Sequence, residues 1–284
     1  MIKNYFFTVT NGRSGQATLN KYIRLYAKDC LSAFEEPNIN PIFSGFISDI
    51  EKKIRRKYFE THELLGRGKV LEAYQERKFE YIKKIALLRL NKVNKDAHYA
   101  NANIYFDISK FYVRGLYKGF NSILKNFNLV FLVRDPLLNM KSYINRNKNF
   151  FLDNSHPNSK NNILIIKEKL IKEELYLWSW SETLLRYNKI SKSKKVKKNI
   201  IIETNALDEI KKVKKIFYLL GIKYSPLKKV DKVNTNEETG NIKTEIKKKD
   251  IIILKNFIKK IPKDNKSLIM ELDKSVSINE SVMK

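Results

Sequence analysis

The sequence predicts an α/β protein with three layers, in which a central parallel sheet lies between helices. Stretches with strand character alternate with amphipathic helical stretches along most of the chain, the order that a parallel sheet with helical crossovers requires. Residues 128–133 form an apolar run without alternation, which is typical of a parallel strand covered on both faces. Near the start, at residues 5–19, a strand, a tight loop and a helix follow one another directly.

The predicted strands and helices are assigned from hydrophobic periodicity and turn residues. Strands are predicted at about 5–10, 30–34, 103–108, 128–133 and 199–203, and helices at about 18–28, 45–59, 69–91, 113–126, 136–147 and 163–189. A further helix begins near Asp208 and ends at Gly221, a residue suited to a C-cap. Residues 222–245 are polar and irregular, and lysine-rich helices follow over 246–284. We expect a single domain over 1–284, with its motif-bearing core at about 4–225.

The chain is strongly basic, with 57 Lys and Arg against 30 Asp and Glu, a net charge of +27 and a pI near 9.8. Such a balance is compatible with nucleic acid, an anionic membrane surface or an anionic substrate. The lysines are spread along helices and tails, and Asn and Ile are abundant as well, as expected from a biased base composition. We therefore expect no nucleic-acid partner. A hydrophobic content of 43% supports a packed core and excludes global disorder.

Cysteine and histidine usage excludes several kinds of site. The single cysteine, Cys30, excludes an internal disulfide and a multi-cysteine metal site. Its apolar neighbours Leu25, Leu31 and Phe34 favour a buried structural thiol over a nucleophile. The three histidines do not have the spacing of metal ligands. Because no signal peptide and no run of 18 apolar residues is found, we expect a soluble cytoplasmic protein without a transmembrane segment.

The opening loop has the features of an anion site. A loop between a strand and a helix aims backbone N–H groups and the helix dipole at a bound anion. Gly12 and Gly15 let the backbone approach a ligand, Ser14 and Thr18 can donate hydroxyl hydrogen bonds, and Arg13 adds a positive charge. The Walker A pattern is absent, so a nucleoside triphosphate is not the first expectation. An ordinary βα turn remains the alternative.

A second strand end carries a similar set of residues. The predicted strand 128–133 stops at Arg134 and Asp135, and Pro136 opens the next helix at its first position. Ligands of open parallel sheets collect beyond the carboxyl ends of the strands, so this junction and the opening loop can face one ligand. Arg134 and Ser142, eight residues apart, can hold a second phosphate. The pair predicts a ligand with anionic groups at two separated points.

These motifs together resemble the sulfotransferase superfamily, in a form closest to bacterial and tyrosylprotein members. The matching segments are Asn11–Gly15, Leu132–Pro136 with Ser142 and Tyr143, and Asn199–Leu207 with the helix closing at Gly221, which looks like the family's "Tyr-Glu-Asp-Leu … Phe-Leu-Gly" segment. The resemblance covers about residues 4–225. It implies a P-loop-type α/β fold and transfer of a sulfuryl group from 3′-phosphoadenosine 5′-phosphosulfate (PAPS) to a hydroxyl or amine, with no metal. The acceptor implied is a saccharide or a glycolipid.

The resemblance also assigns nucleotide contacts. Arg134 and Ser142 would bind the 3′-phosphate of the donor. The residues that would cradle its 5′ end are Gly12, Arg13, Ser14, Gly15, Gln16, Ala17 and Thr18. Arg13 stands where cytosolic small-molecule sulfotransferases have lysine. Gln16 and Ala17 depart from the family, which usually has Thr-Thr or Thr-x there, so one hydroxyl donor is lost.

Sulfuryl transfer needs a base for the acceptor and cations on the leaving phosphate oxygens. The resemblance places the base at Glu36, directly before Pro37, with Glu35 and then His62 as alternatives. Lys110, just past the strand 103–108, matches a lysine or polar residue near the scissile sulfate in relatives. With Arg13 it would neutralise the departing phosphate. For Glu36 and Lys110 the alternative is an ordinary surface residue.

Two other functions are alternatives to the sulfotransferase. A nucleotide kinase or other phosphotransferase would use the same strand–loop–helix, but should show a Walker lysine and a metal-binding acid at a strand end, and neither is evident. A basic nucleic-acid-binding protein without catalysis would bind single or double strands with a steep salt dependence and without preference for small nucleotides.

Overall fold

A computed structural model describes residues 2–34, 61–145, 161–231 and 244–282, together with 45–47, 50, 51, 54, 157 and 159. The predicted base Glu36 and its alternative Glu35 lie outside the described residues. The backbone at His62 is helical, but its side chain also lies outside what is described.

The core of the fold is a five-stranded sheet in which all strands are parallel, as the sequence predicts. Its strands are β1 (Asn4–Val9), β2 (Cys30–Phe34), β3 (Ile104–Ile108), β4 (Phe127–Val133) and β5 (Val196–Glu203). Their order across the sheet is β2-β3-β1-β4-β5, so β1 is the central strand. Because every strand runs in the same direction, all five carboxyl ends lie at one edge of the sheet.

Helices connect the strands and extend beyond them. Their bounds are α1 (Gln16–Tyr26), α2 (Thr61–Leu64), α3 (Lys69–Gln75), α4 (Phe79–Tyr99), α5 (Tyr117–Ile123), α6 (Pro136–Ile144), α7 (Lys172–Ser191), α8 (Ile210–Leu220), α9 (Lys248–Lys260) and α10 (Lys266–Val282). Residues 45–47, 50, 51 and 54 are helical as well. No helix in the described part of the chain is long and apolar enough to cross a membrane.

The sheet is covered on both faces, which gives the three layers. Successive residues of β1 point to opposite faces, so Phe7 packs with α4, α5 and α7, whereas Phe6 packs with α1 and α8. The ring of Phe7 lies 4.7 Å from that of Phe120 on α5, and Phe131 of β4 stacks on Tyr187 of α7 at 4.2 Å. These buried aromatic contacts fix the helices against the sheet.

The C-terminal helices pack against α6 and α7. Leu254 and Phe257 of α9 and Leu272 of α10 share a buried cluster with Met140 and Trp178. A buried ion pair adds to this packing, with Lys141 Nζ of α6 2.9 Å from Asp250 Oδ1 of α9. The predicted C-terminal helices are thus present, and they lie on the helix that follows β4.

One predicted helix is interrupted. The prediction of a continuous helix over 69–91 is wrong, because α3 ends at Gln75 and α4 begins at Phe79 and runs to Tyr99. Between them Arg77 has a left-handed backbone, with φ of 60°, which no right-handed helix accommodates.

A second predicted helix starts late. The apolar spacing over 163–189 predicts one long helix, but α7 begins only at Lys172. Over 162–166 inward and outward residues alternate, and Leu164 and Ile166 point inward. The carboxylate of Glu182 accepts hydrogen bonds from the backbone N–H groups of Ile163 and Leu164, at 3.1 and 2.8 Å. The buried carboxylate therefore fixes this segment in an extended conformation ahead of α7.

The predicted helix over 113–126 is also modified. A single π-helical turn, Tyr112–Leu116, precedes α5, and Gly115 within it is non-helical, with φ of 174°. This turn directly follows β3 and Lys110. Elsewhere β2 spans 30–34 as predicted, and α8 is followed by Gly221 in the left-handed conformation of a C-cap. Most of the helix predicted at 45–59, and the predicted end of the helix at 136–147, lie outside the described residues.

Candidate functional site

The opening loop between β1 and α1 has an unusual backbone. Gly12, Arg13 and Gly15 have positive φ angles of 82°, 53° and 85°. For a residue with a side chain, such as Arg13, this conformation costs about 1–2 kcal/mol and persists only where the surroundings fix it. The N-cap of α1 is Gly15, which has no side chain to cap the first turn. The N–H groups of that turn are therefore suited to an anion.

Internal hydrogen bonds shape the loop. The Gly12 N–H donates to Thr10 Oγ1 at 3.3 Å, and Ser14 Oγ donates to the Gly12 carbonyl at 3.1 Å. Both Thr10 and Ser14 are almost fully buried. The Ser14 hydroxyl proton is thus used within the loop, and what the loop can offer a ligand here is its backbone.

Asn139 of α6 holds the loop from one side. Its Nδ2 donates to the Gly12 carbonyl at 2.8 Å and lies 3.2 Å from Ser14 Oγ, while its Oδ1 accepts from Asn11 Nδ2 at 3.0 Å. Asn11 is fixed in turn by Ser179 Oγ of α7, which donates to Asn11 Oδ1 at 2.6 Å. Neither Asn139 nor Ser179 is predicted as a site residue from the sequence. For Asn139 a signal existed, because it lies three residues before Ser142 and therefore on the same helix face.

Two further residues close the loop. Tyr143 Oη donates to the Asn11 carbonyl at 2.7 Å. Thr204, directly after β5, has its Oγ1 2.9 Å from the Ser14 carbonyl and 3.0 Å from the Val133 carbonyl, so its single proton serves one of the two. Thr204 thereby joins the ends of β4 and β5 to the loop. Nothing in its local sequence distinguishes it from an ordinary turn threonine.

The two strand ends predicted to face one ligand do meet. Arg13 Nε donates to Ser142 Oγ at 3.1 Å, and Arg134 Nη1 donates to the Arg13 carbonyl at 3.3 Å. Trp180 of α7 supports this junction, since its Nε1 donates to the Arg134 carbonyl at 2.9 Å. Ser142 is in hydrogen-bond contact with Arg13, the arginine of the opening loop. Arg13, Arg134 and Ser142 thus form one cluster at the ends of β1 and β4.

Lys110 lies on the other side of the loop. It follows β3, and its Cδ is 3.3 Å from the position that a Cβ on Gly12 would occupy. Gln16 also reaches this side, with its Nε2 3.5 Å from the Ile108 carbonyl, at the limit of a hydrogen bond. Ala17 and Thr18 lie in the first turn of α1, where Thr18 is buried. The residues predicted to bind the 5′ end of the donor therefore lie in the opening loop and in the first turn of α1.

A buried ion pair lies behind β3. Arg89 of α4 and Asp107 of β3 are fully buried, with Nη2 2.6 Å from Oδ2, and Tyr105 Oη lies within 3.4 Å of the same carboxylate. Burial raises the pKa of Asp107, and the neighbouring Arg89 opposes that shift. Because Arg89 and Tyr105 both engage the Asp107 carboxylate in the interior, we assign the pair to holding β3 against α4.

Cys30 does not have the properties of a nucleophile. It is in β2, and burial raises the pKa of its thiol to about 12. At neutral pH the reactive thiolate is therefore almost absent. This agrees with a structural thiol, as its apolar neighbours predict, although the residue is half-buried and not buried.

The donor set suits a phosphate-bearing ligand more than a metal. Backbone N–H groups of the loop and helix, two arginines, a lysine and a serine gather at one sheet edge, and all of these recognise phosphate oxygens. Within the described ranges, no group of three His, Cys, Asp or Glu side chains could hold a metal ion. In comparisons with known proteins, no family model matches the chain, and no curated protein or solved structure matches it.

Proposed function

We propose that this protein is a PAPS-dependent sulfotransferase, which transfers the sulfuryl group to a hydroxyl or amine of a saccharide or glycolipid. The observation that supports this most is the cluster of Arg13, Arg134 and Ser142 at the ends of two neighbouring strands. PAPS carries charge at its 5′ end and again at its 3′ position. A loop suited to one phosphate, with a second cationic strand end beside it, matches this pattern.

The proposed roles follow the positions of the residues. The loop Gly12–Thr18 binds the 5′ end through its backbone N–H groups, and Arg134 with Ser142 binds the 3′-phosphate. Arg13 and Lys110 flank the loop and neutralise the departing phosphate. Because Ser14 Oγ donates within the loop and Gln16 supplies an amide, backbone donors and cations carry most of this binding in place of side-chain hydroxyls.

The proposed reaction is a direct displacement. The acceptor oxygen or nitrogen forms a bond to sulfur while the bond between sulfur and the 5′-phosphate oxygen breaks, which leaves adenosine 3′,5′-bisphosphate. The proton of the acceptor passes to Glu36. The negative charge that develops on the leaving oxygen is stabilised by Arg13, Lys110 and the dipole of α1. No step of this scheme requires a metal.

Nucleotide binding tests the assignment directly. Adenosine 3′,5′-bisphosphate should raise the melting temperature clearly more than 5′-AMP does. It should also exceed ADP, which has two phosphates but none at the 3′ position. Arg134→Ala should weaken adenosine 3′,5′-bisphosphate binding by about 1.5–3 kcal/mol, the range for a charged hydrogen bond, as measured by isothermal titration calorimetry.

The control for Arg134→Ala is Arg24→Ala, which removes an exposed arginine from α1 and should leave the affinity unchanged. Equal stabilisation by the bisphosphate and by ADP would reject the 3′-phosphate site. A preference for ATP with Mg²⁺ would instead favour a phosphotransferase. Binding only to oligonucleotides, with a steep loss of affinity in salt, would favour the nucleic-acid-binding alternative.

Activity is tested with radiolabelled PAPS and a library of saccharide and lipid-linked acceptors. Glu36→Gln should abolish transfer while the affinity for adenosine 3′,5′-bisphosphate is kept, because the amide cannot accept the proton. Glu35→Gln is the matched control, one residue earlier in the chain. Full activity of Glu36→Gln, or loss in Glu35→Gln alone, would move the base away from Glu36.

A further inference from the structure

Three cationic side chains surround one aromatic ring next to the opening loop. The guanidinium carbon of Arg67 lies 5.3 Å from the centroid of Phe111, that of Arg114 lies 5.6 Å away, and Lys110 Nζ lies 5.2 Å away. Any two of these charges are therefore within about 11 Å of each other, and all are within cation–π range of the ring. We call Arg67, Lys110 and Arg114 the Phe111 cation cluster.

The backbone brings Arg67 to the ring at a position where only glycine fits beside it. Arg67 is preceded by Gly66, which has φ of +85°. A Cβ on Gly66 would lie 2.7 Å from Leu116 Cδ1 and 3.3 Å from Phe111 Cβ. The close approach fixes the loop, and with it the base of the Arg67 side chain.

Arg114 reaches the same ring from a different element. It lies in the π-helical turn Tyr112–Leu116 and is 8% exposed. Single π-helical turns are rare and occur frequently at functional sites. Phe111 itself is 3% exposed, so the surrounding packing holds its ring in place. Two independent irregularities of the backbone thus place positive charge around one buried ring.

The strand order of the sheet places the Phe111 cation cluster on the β3 side of the opening loop. Lys110 follows β3, which lies between β1 and β2, whereas Arg134 and Ser142 follow β4 on the opposite side of β1. Lys110 also borders Gly12, so the cluster adjoins the loop without overlapping the proposed 3′-phosphate contacts. The chain leaves β2 two residues before Glu36.

We infer that the Phe111 cation cluster binds an acidic group of the sulfate acceptor, so that the acceptor is a saccharide bearing a carboxylate or a phosphate. This inference rests on the proposed function. Three clustered charges raise the local positive potential and attract anions, and the planar guanidinium groups of Arg67 and Arg114 match carboxylate and phosphate in geometry. The partial burial of Arg114 strengthens such a contact, because less water screens it.

The test uses three sugars that differ only at carbon 6, namely glucose, glucuronate and glucose 6-phosphate. They are titrated into protein saturated with adenosine 3′,5′-bisphosphate, and binding is followed by NMR. At least one acidic sugar should bind about 10-fold tighter than glucose. Arg67→Ala should remove most of that preference, and Arg24→Ala should not change it. The affinity for adenosine 3′,5′-bisphosphate should be the same in Arg67→Ala as in the wild type.

The outcomes separate this inference from the proposed function. If acidic sugars bind no tighter than glucose, or if Arg67→Ala keeps the preference, the inference is wrong even where the nucleotide binds as proposed. If the bisphosphate is not preferred over ADP, the proposed function fails. An acid preference that depends on Arg67 in nucleotide-free protein would then still support the cluster as an anion site. The tighter of the two acidic sugars identifies the group as carboxylate or phosphate.

Discussion

Gly12 is the residue on which the loop geometry depends most. Its φ of +82° is a conformation that side chains disfavour, and a Cβ added there would lie 2.4 Å from Tyr143 Oη. That hydroxyl cannot simply move aside, because it donates to the Asn11 carbonyl at 2.7 Å. The turn of the loop and its attachment to α6 therefore both require a glycine at this position.

We predict that Gly12→Ala destabilises the protein by about 2–4 kcal/mol, through backbone strain and displacement of the Tyr143 hydroxyl. Chemical denaturation measures this loss, and calorimetry should show weaker binding of adenosine 3′,5′-bisphosphate as well. Gly45→Ala is the matched control, because Gly45 also has a positive φ, of 63°, and no atom of the described residues lies within 4 Å of its added Cβ. It should show only the strain.

A double variant isolates the clash. Tyr143→Phe removes the obstructing oxygen, and the nearest remaining ring atom, Cζ, is 3.6 Å from the added Cβ. The double variant should therefore lose less stability than the sum of the two single variants. Strict additivity would show that the 2.4 Å contact does not limit the loop.

At the scale of elements, α6 joins the loop to the rest of the site. Asn139, Ser142 and Tyr143 are spaced i, i+3 and i+4, so they lie on one face, and each contacts the loop. Asp135 caps the helix by accepting from the Leu138 N–H at 3.0 Å. Lys141 points away from this face, towards α9. Three side chains of α6 thus hold the loop in place relative to the helix.

We predict that Asn139→Asp destabilises the fold by about 1–3 kcal/mol, since the carboxylate cannot donate to the Gly12 carbonyl and lies against that oxygen, which keeps only the weaker hydrogen bond from Ser14 Oγ. Asn139 is fully buried, so water does not replace the lost donor in the native structure. The change also brings a negative charge next to the proposed phosphate site, so bisphosphate binding should fall. Asn91→Asp, at an exposed position of α4, is the control for the same chemical change. Equal melting temperatures for the two variants would contradict the role of Asn139.

The elements also show how far the sequence predicts the structure. Strands and their junctions are local features, so β2, β4 and the start of α6 at Pro136 follow from the pattern. The start of α7 does not, because the carboxylate that extends the preceding segment, on Glu182, is 18 residues from Leu164. An apolar pattern that suits a helix is here overruled by a tertiary hydrogen bond.

In the candidate site, too, some features follow from local sequence patterns and others depend on tertiary packing. Arg13, Arg134 and Ser142 are predictable because parallel strands bring their carboxyl ends to one edge. The side chains that hold the loop are not, since Ser179 is 168 residues from Asn11 and Thr204 is 190 residues from Ser14. Their roles arise only from the packing of α7 and of the end of β5 against the loop. The geometry of the loop is therefore a tertiary property, although its residues form a local motif.

At the scale of the whole molecule, the C-terminal hairpin of α9 and α10 contacts the helix that supports the site. Asp135, the N-cap of α6, also accepts from Ser275 Oγ of α10 at 2.6 Å. Lys141 and Asp250 form an ion pair in which the side chains are 11% and 3% exposed. Lys260 of α9 pairs with Glu174 of α7. These contacts, with the apolar cluster beneath them, predict that the hairpin and the sheet unfold together.

We predict that Asp250→Ala lowers the stability of the whole protein by about 3 kcal/mol, because it leaves Lys141 buried without its partner. Unfolding followed by the fluorescence of Trp178 and Trp180 and by far-ultraviolet circular dichroism should give one midpoint, and the variant should shift both signals equally. Glu280→Ala is the control, since it breaks an exposed pair with Lys255 in the same hairpin and should cost less than about 1 kcal/mol. Two separate transitions, with only the first moved by Asp250→Ala, would mean that the hairpin is an independent unit and that the single-domain prediction is wrong.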